Sequence, residues 1–85
     1  MKKFDYTVKD PLGLHARPAG LFVKCVSGYT SNVKLTKDGK DADAKRLFGV
    51  MGLAVKCGDT ITVTIDGADE DAALSGIKTF CSSNF

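Results

Sequence analysis

Thr60-Ile61-Thr62-Val63-Thr64-Ile65-Asp66 is the stretch on which the fold turns. Three β-branched aliphatic residues alternate with threonines, the period-two pattern of a strand with one apolar face and one polar face. Gly67 breaks the pattern. A strand that is wet on one face belongs to an antiparallel sheet, because parallel sheets are covered on both faces. Moving outward, Phe4, Tyr6 and Val8 alternate with Asp5, Thr7 and Lys9, and residues 32–36 place Val33 and Leu35 on one side. Lys37-Asp38-Gly39-Lys40 contains the Asp-Gly pair that favours a tight hairpin. Residues 41–43 are expected to complete it as a short strand.

Between these strands the spacing changes. Ala19, Phe22, Val23 and Val26 follow the i, i+3, i+4, i+7 pattern of a helix that Gly28 stops. Residues 47–55 are mostly apolar but carry Gly49 and Gly52, and read as a short helix and its exit. Cys57-Gly58-Asp59 turns the chain. A last helix opens on Asp69-Glu70-Asp71, acidic where the helix dipole favours anions. Its expected stripe is Ala73, Ile77 and Phe80, with Leu74 and Cys81 beside it. One-sided strands with amphipathic helices predict an α+β, two-layer open-faced sandwich. Helices cover one side of the sheet, and threonine, lysine and aspartate face water on the other. At 85 residues, a single domain spanning 1–85 is expected.

Composition removes several function classes. A net charge of +2, without a basic cluster interleaved with aromatics, argues against nucleic acid. No apolar run reaches the roughly 20 residues of a membrane helix, and no apolar core follows Lys2-Lys3 as a signal peptide requires. No membrane insertion is expected. Cys25, Cys57 and Cys81 are odd in number and far apart, with no CxxC pair, so neither a disulfide framework nor a zinc site is expected and the cytoplasm is the natural compartment. Cys25 and Cys81 fall in helical apolar patterns and read as core residues.

The chemistry concentrates at Gly13-Leu14-His15-Ala16-Arg17-Pro18-Ala19. Asp10-Pro11-Leu12-Gly13 ahead of it is turn chemistry. Gly13 permits unusual backbone angles, and His15, the only histidine, precedes the helix. Pro18 sits in the first turn, where its missing N–H does no harm. Because the residue before a proline avoids α geometry, Arg17 is expected at the helix entrance, outside its interior. A helix N-terminus offers free N–H groups and partial positive charge to a phosphoryl group. Arg17 can add charge-assisted bonds to its oxygens, and neutral imidazole is a competent nucleophile. A lone histidine at a helix start is more often a surface residue, and the weight comes from Arg17 and the flanking glycine and proline. A metal centre lacks a second histidine, and a Ser-His-Asp hydrolase lacks a GxSxG elbow.

This motif resembles the active site of the HPr family, the histidine-containing phosphocarriers of the bacterial sugar phosphotransferase system. The resemblance extends over the whole chain and includes a second segment, Ala44-Lys45-Arg46-Leu47-Phe48-Gly49-Val50-Met51. It implies a four-stranded antiparallel sheet in the order 1-4-2-3 with three helices on one side. It implies that Enzyme I, charged by phosphoenolpyruvate, phosphorylates His15 on Nδ1, and that the group passes to IIA domains of sugar permeases. Arg17 would hold the phosphoryl group and meet partner carboxylates. The chain would be a carrier and not an enzyme in its own right, with no cofactor and no metal, and a monomer is expected.

The partner surface implied by the family uses Ala16, Gly20 and Lys24 on the first helix and Arg46, Leu47, Phe48 and Met51 on the second. Leu47 and Phe48 are expected as exposed anchors and Val50 and Leu53 as core, with Met51 able to serve either way. Lys24, Lys45 and Arg46 would add positive charge around the dock. One position departs from the family. Arg46 stands where many relatives in Gram-positive bacteria carry a regulatory serine, and no serine or threonine lies between Thr36 and Thr60. Control by serine phosphorylation is therefore expected to be absent. Two other readings keep less of the family's role: a carrier in a specialised or nitrogen-linked regulatory branch, and a module that regulates partners by docking alone.

Overall fold

The alternating stretch becomes an interior strand of the sheet in the computed structural model, which describes all 85 residues. The elements are β1 (Lys2–Thr7), α1 (Ala16–Ser27), β2 (Asn32–Lys37), β3 (Lys40–Asp43), α2 (Leu47–Gly52), β4 (Thr60–Asp66) and α3 (Glu70–Asn84). The four strands form one antiparallel sheet in the order β1-β4-β2-β3. Strand β4 thus enters between two strands already made, with Val63 opposite Phe4 on one side and Leu35 on the other. Both of its edges are paired and one face is fully covered. Ile61, Val63 and Ile65 accordingly lose all solvent contact, and its alternation is the strictest in the chain.

The β2–β3 hairpin turns through Asp38 (φ 50°) and Gly39 (φ 78°). Both are left-handed, the requirement of a two-residue turn whose twist matches the strands. The helices cover one face. Helix α1 buries Pro18, Ala19, Phe22 and Val26, α2 buries Val50, and α3 buries Ala73, Ile77 and Cys81. The stripe of α3 is rotated from the expected one. Cys81 lies at its centre, and Phe80 packs at its flank against Phe22 and Phe85, with ring centroids 6.0 and 5.5 Å away. Burial pushes the Cys81 thiol up to about 12. Cys25 is half-buried and Cys57 exposed, and all three are unbridged.

Two ties position the loop between β1 and α1. The Val8 N–H donates to the Asp59 carbonyl (2.9 Å) and the Gly58 N–H to the Val8 carbonyl (2.8 Å). The Lys9 and Asp10 N–H groups both donate to the Phe85 backbone oxygen, at 2.5 and 2.8 Å. The Phe85 ring is buried against Phe22, so the loop is anchored through α3 to the core. No helix is long and apolar enough to cross a membrane.

Candidate functional site

The anchored loop ends in a tight turn. The Gly13 N–H donates to the Asp10 carbonyl (2.8 Å), and the Leu12 N–H donates to Asp10 Oδ1 (2.9 Å). Gly13 has φ +68°, and a Cβ there would stand 2.5 Å from the Val55 carbonyl oxygen and 2.7 Å from Lys56 Cα. Leu14 follows, buried, its N–H donating to Val55 (3.0 Å). A bare backbone, then an apolar plug, therefore place the next residue at the rim.

That residue is His15. It is the N-cap of α1 in extended conformation, and its carbonyl accepts the Ala19 N–H at 3.0 Å. The imidazole does not cap the helix. The side chain, 37% exposed, has Nε2 3.8 Å from Asp10 Oδ2. Ala16 and Arg17 supply the first-turn N–H groups, since Pro18 has none. Arg17 is the second residue of the helix, exposed and outside every ion pair of the chain. This is the helix entrance at which it is expected, although its backbone is already helical. Pro18 is the third helical residue, and the rest of the first turn, closed by the Ala19 bond to His15, holds Arg17 in helical geometry against the pre-proline preference.

His15, Arg17, Asp10, Pro18, Leu21 and Asn84 line an open depression of about 250 Å³. It brings together one imidazole, one unpaired guanidinium and an uncapped helix N-terminus. A doubly charged, oxygen-rich group would meet donors on two sides there, with the ring nitrogen within reach. No cluster of three His, Cys, Asp or Glu side chains is arranged for a metal anywhere in the chain. A larger depression of about 440 Å³ lies at the far end of the sheet's polar face, where Asn32 and Asp66 stand opposite one another, and neither histidine nor cysteine lines it.

The expected docking residues separate by burial. Ala16 and Lys24 are exposed, and Gly20 is half-buried with open space where a Cβ would be. Phe48 is 87% exposed and Met51 37%, whereas Val50 and Leu53 are buried. Leu47 departs from its expected exposure. It is half-buried and packs on the core, because it lies three residues before the buried Val50 on the same face of α2. Arg46 is the N-cap of α2, exposed, with Nε 3.6 Å from Asp43 Oδ2. Lys45 is tied down: its ammonium donates to the Tyr29 carbonyl at 2.9 Å, so it holds two loops together and is less free to steer a partner.

Sequence reasoning missed Leu21 and Asp10. Leu21 is 45% exposed beside the site. Its signal was available, since it lies off the buried stripe and one helical turn after Arg17. Asp10 read as a turn residue, which it is, but nothing in the local pattern said that its second oxygen faces His15.

Comparison with known proteins adds four findings. The family described as "PTS HPr component phosphorylation site" matches residues 2–83. The phosphocarrier protein HPr of Mycoplasma genitalium is 40% identical over 85 residues, covering 99% of this chain and 97% of that one. HPr from Thermoanaerobacter tengcongensis superposes with a TM-score of 0.94 at 36% identity, over 100% of this chain and 96% of that one. A dimer of HPr from the same organism aligns at 0.78 with 36% identity, over 98% and 95% of the two chains.

Proposed function

This chain belongs to the HPr family of phosphocarrier proteins of the phosphotransferase system, and from that premise we propose that His15 accepts a phosphoryl group from phosphorylated Enzyme I and delivers it to IIA domains of sugar permeases in the cytoplasm. The observation that carries the reading is the placement of an uncapped, solvent-reached imidazole at the start of α1 with the Arg17 guanidinium unpaired beside it. The Nδ1 lone pair attacks phosphorus, a P–N bond forms, and the donor's bond to phosphorus breaks with its electron pair leaving on the donor. Phosphorylation adds roughly 1.5 to 2 negative charges, which Arg17 and the helix terminus offset. The bond so formed is labile, as a carrier requires. Ala16, Gly20, Lys24, Phe48 and Met51 form the partner surface in this reading, with Arg46 and the half-buried Leu47 at its edge.

The test is incubation with Enzyme I and labelled phosphoenolpyruvate. Wild-type chain should acquire acid-labile, base-stable label and His15→Ala none; equal labelling of both ends the proposal. Arg17→Ala should fold normally, because the side chain is exposed, and transfer about 10–100-fold more slowly, the loss expected from removing charge-assisted hydrogen bonds. Serine control at position 46 is absent in this reading, since Arg46 has no hydroxyl. Strong labelling from ATP by an HPr kinase that survives His15→Ala would overturn that part.

A further inference from the structure

Asp10 is held by three hydrogen bonds before it meets the site. Its N–H donates to the Phe85 backbone oxygen (2.8 Å), its carbonyl accepts the Gly13 N–H (2.8 Å), and Oδ1 accepts the Leu12 N–H (2.9 Å). The backbone and one carboxylate oxygen are thereby committed, which fixes where the other oxygen goes. That oxygen, Oδ2, lies 3.8 Å from His15 Nε2 in the depression that also contains Arg17. The side chain is only 26% exposed, so the turn holds the charge close to the ring and partly out of water.

From this geometry we infer that Asp10 is a positioning residue for phosphoryl transfer, one that keeps the proton of His15 on Nε2 and leaves Nδ1 as the lone-pair nitrogen. The inference rests on the carrier reading above. A carboxylate has no hydrogen to donate, so it favours the tautomer that places N–H towards it. In hydrolytic triads an aspartate sets the tautomer of its histidine in the same way. The approach need shorten by only about 1 Å to become an N–H···O hydrogen bond, and such contacts at reactive sites tighten on complex formation. The balance is simple. Nδ1 gives its electron pair to phosphorus, the donor recovers the pair from the bond that breaks, and the proton stays on Nε2. The ring is then cationic, and the Asp10 carboxylate faces the nitrogen that shares this charge. When the group leaves for the acceptor, the electron pair returns to Nδ1 and the starting tautomer is restored. Asp10 acts through His15 and touches no transferred atom.

The experiment reads the tautomer directly. Nitrogen-15 NMR of the histidine ring, recorded above neutrality without any donor present, should show Nε2 protonated in the wild type. Asp10→Asn keeps an oxygen for the Leu12 N–H and turns an NH₂ towards Nε2, so the ring signals should move towards the Nδ1–H form. Its transfer rate should fall about 10–100-fold, the usual range for residues supporting a reacting group. Asp10→Ser keeps a hydroxyl for the turn but reaches no ring nitrogen, and should give an intermediate loss with mixed tautomers. Backbone amide spectra establish that each variant is folded. Unchanged ring signals in Asp10→Asn, whether or not the rate changes, overturn the inference and leave Asp10 a turn residue. Failure of the carrier reading is distinguishable: a wild type that takes no phosphoryl group overturns that reading, while the donor-free spectra still decide the tautomer.

Discussion

Gly13 carries two constraints at once. Its φ of +68° is a conformation L side chains rarely adopt, and the space a Cβ would need is filled by the backbone of Val55 and Lys56. Gly13→Ala should therefore cost about 2–4 kcal/mol, from backbone strain and overpacking together, read as a lower urea midpoint, and the retained fold should transfer phosphoryl more slowly because His15 is displaced. A change under 0.5 kcal/mol, the order expected of a neutral surface substitution, would show that the turn relaxes freely. Asp69 offers a second test. Ser31 Oγ–H and the Thr30 and Ser31 N–H groups donate to it, and these bonds pull its carboxyl down to about 2. The folded value lies below the unfolded one, so the folded state binds fewer protons there. The stabilisation is complete above about pH 4 and fades as pH falls through about 2. In denaturation at stepped pH, the gap between wild type and Asp69→Asn should be constant from pH 7 to 5 and close between 4 and 2. A gap undiminished at pH 2 would contradict this. At this scale His15 and Arg17 were legible from seven consecutive residues. The long-range partners were not: Asp69 read only as a complement to the helix dipole, yet its bonds reach back 38 and 39 residues.

Elements were legible where a period was clean. The alternation at Ile61, Val63 and Ile65, and the Asp38-Gly39 pair, led to β4 and the hairpin with bounds off by a residue or so. Period says which face a side chain takes and not which strand lies alongside, so the order β1-β4-β2-β3 came from family likeness and not from the pattern. Helix α3 shows the limit of a stripe: Phe80 and Cys81 are adjacent, both apolar, and only packing against Phe22 and Phe85 decides that the smaller one goes to the centre. Helix α2 divides likewise, turning Val50 in and Phe48 out. An aromatic ring left 87% exposed on so short a helix suits a partner. Phe48→Ala should leave stability within about 0.5 kcal/mol and weaken binding to a phosphotransfer partner about 5–30-fold, a modest anchor's worth. Calorimetric titration decides it, and unchanged affinity would remove Phe48 from the docking surface.

At the scale of the molecule, the sheet is a platform whose covered face carries α1 and whose last element, α3, reaches back to fasten the loop before His15. The Phe85 backbone oxygen accepts from Lys9 and Asp10, so the placement of His15 depends on both halves of the chain. One domain of this kind is expected to work alone. Sedimentation at micromolar concentration should give a particle near 9.0 kDa; a stable species of twice that mass would contradict the monomer and match the dimer formed by a relative. All of this serves His15 as the proposed phosphoryl acceptor. The most direct measurement is phosphorus-31 NMR of nitrogen-15 labelled chain after incubation with Enzyme I and phosphoenolpyruvate. One phosphoramidate signal coupled to Nδ1 of His15, lost on acidification, is the expected result. No phosphoramidate signal, or phosphorus on a serine or threonine instead, would contradict it.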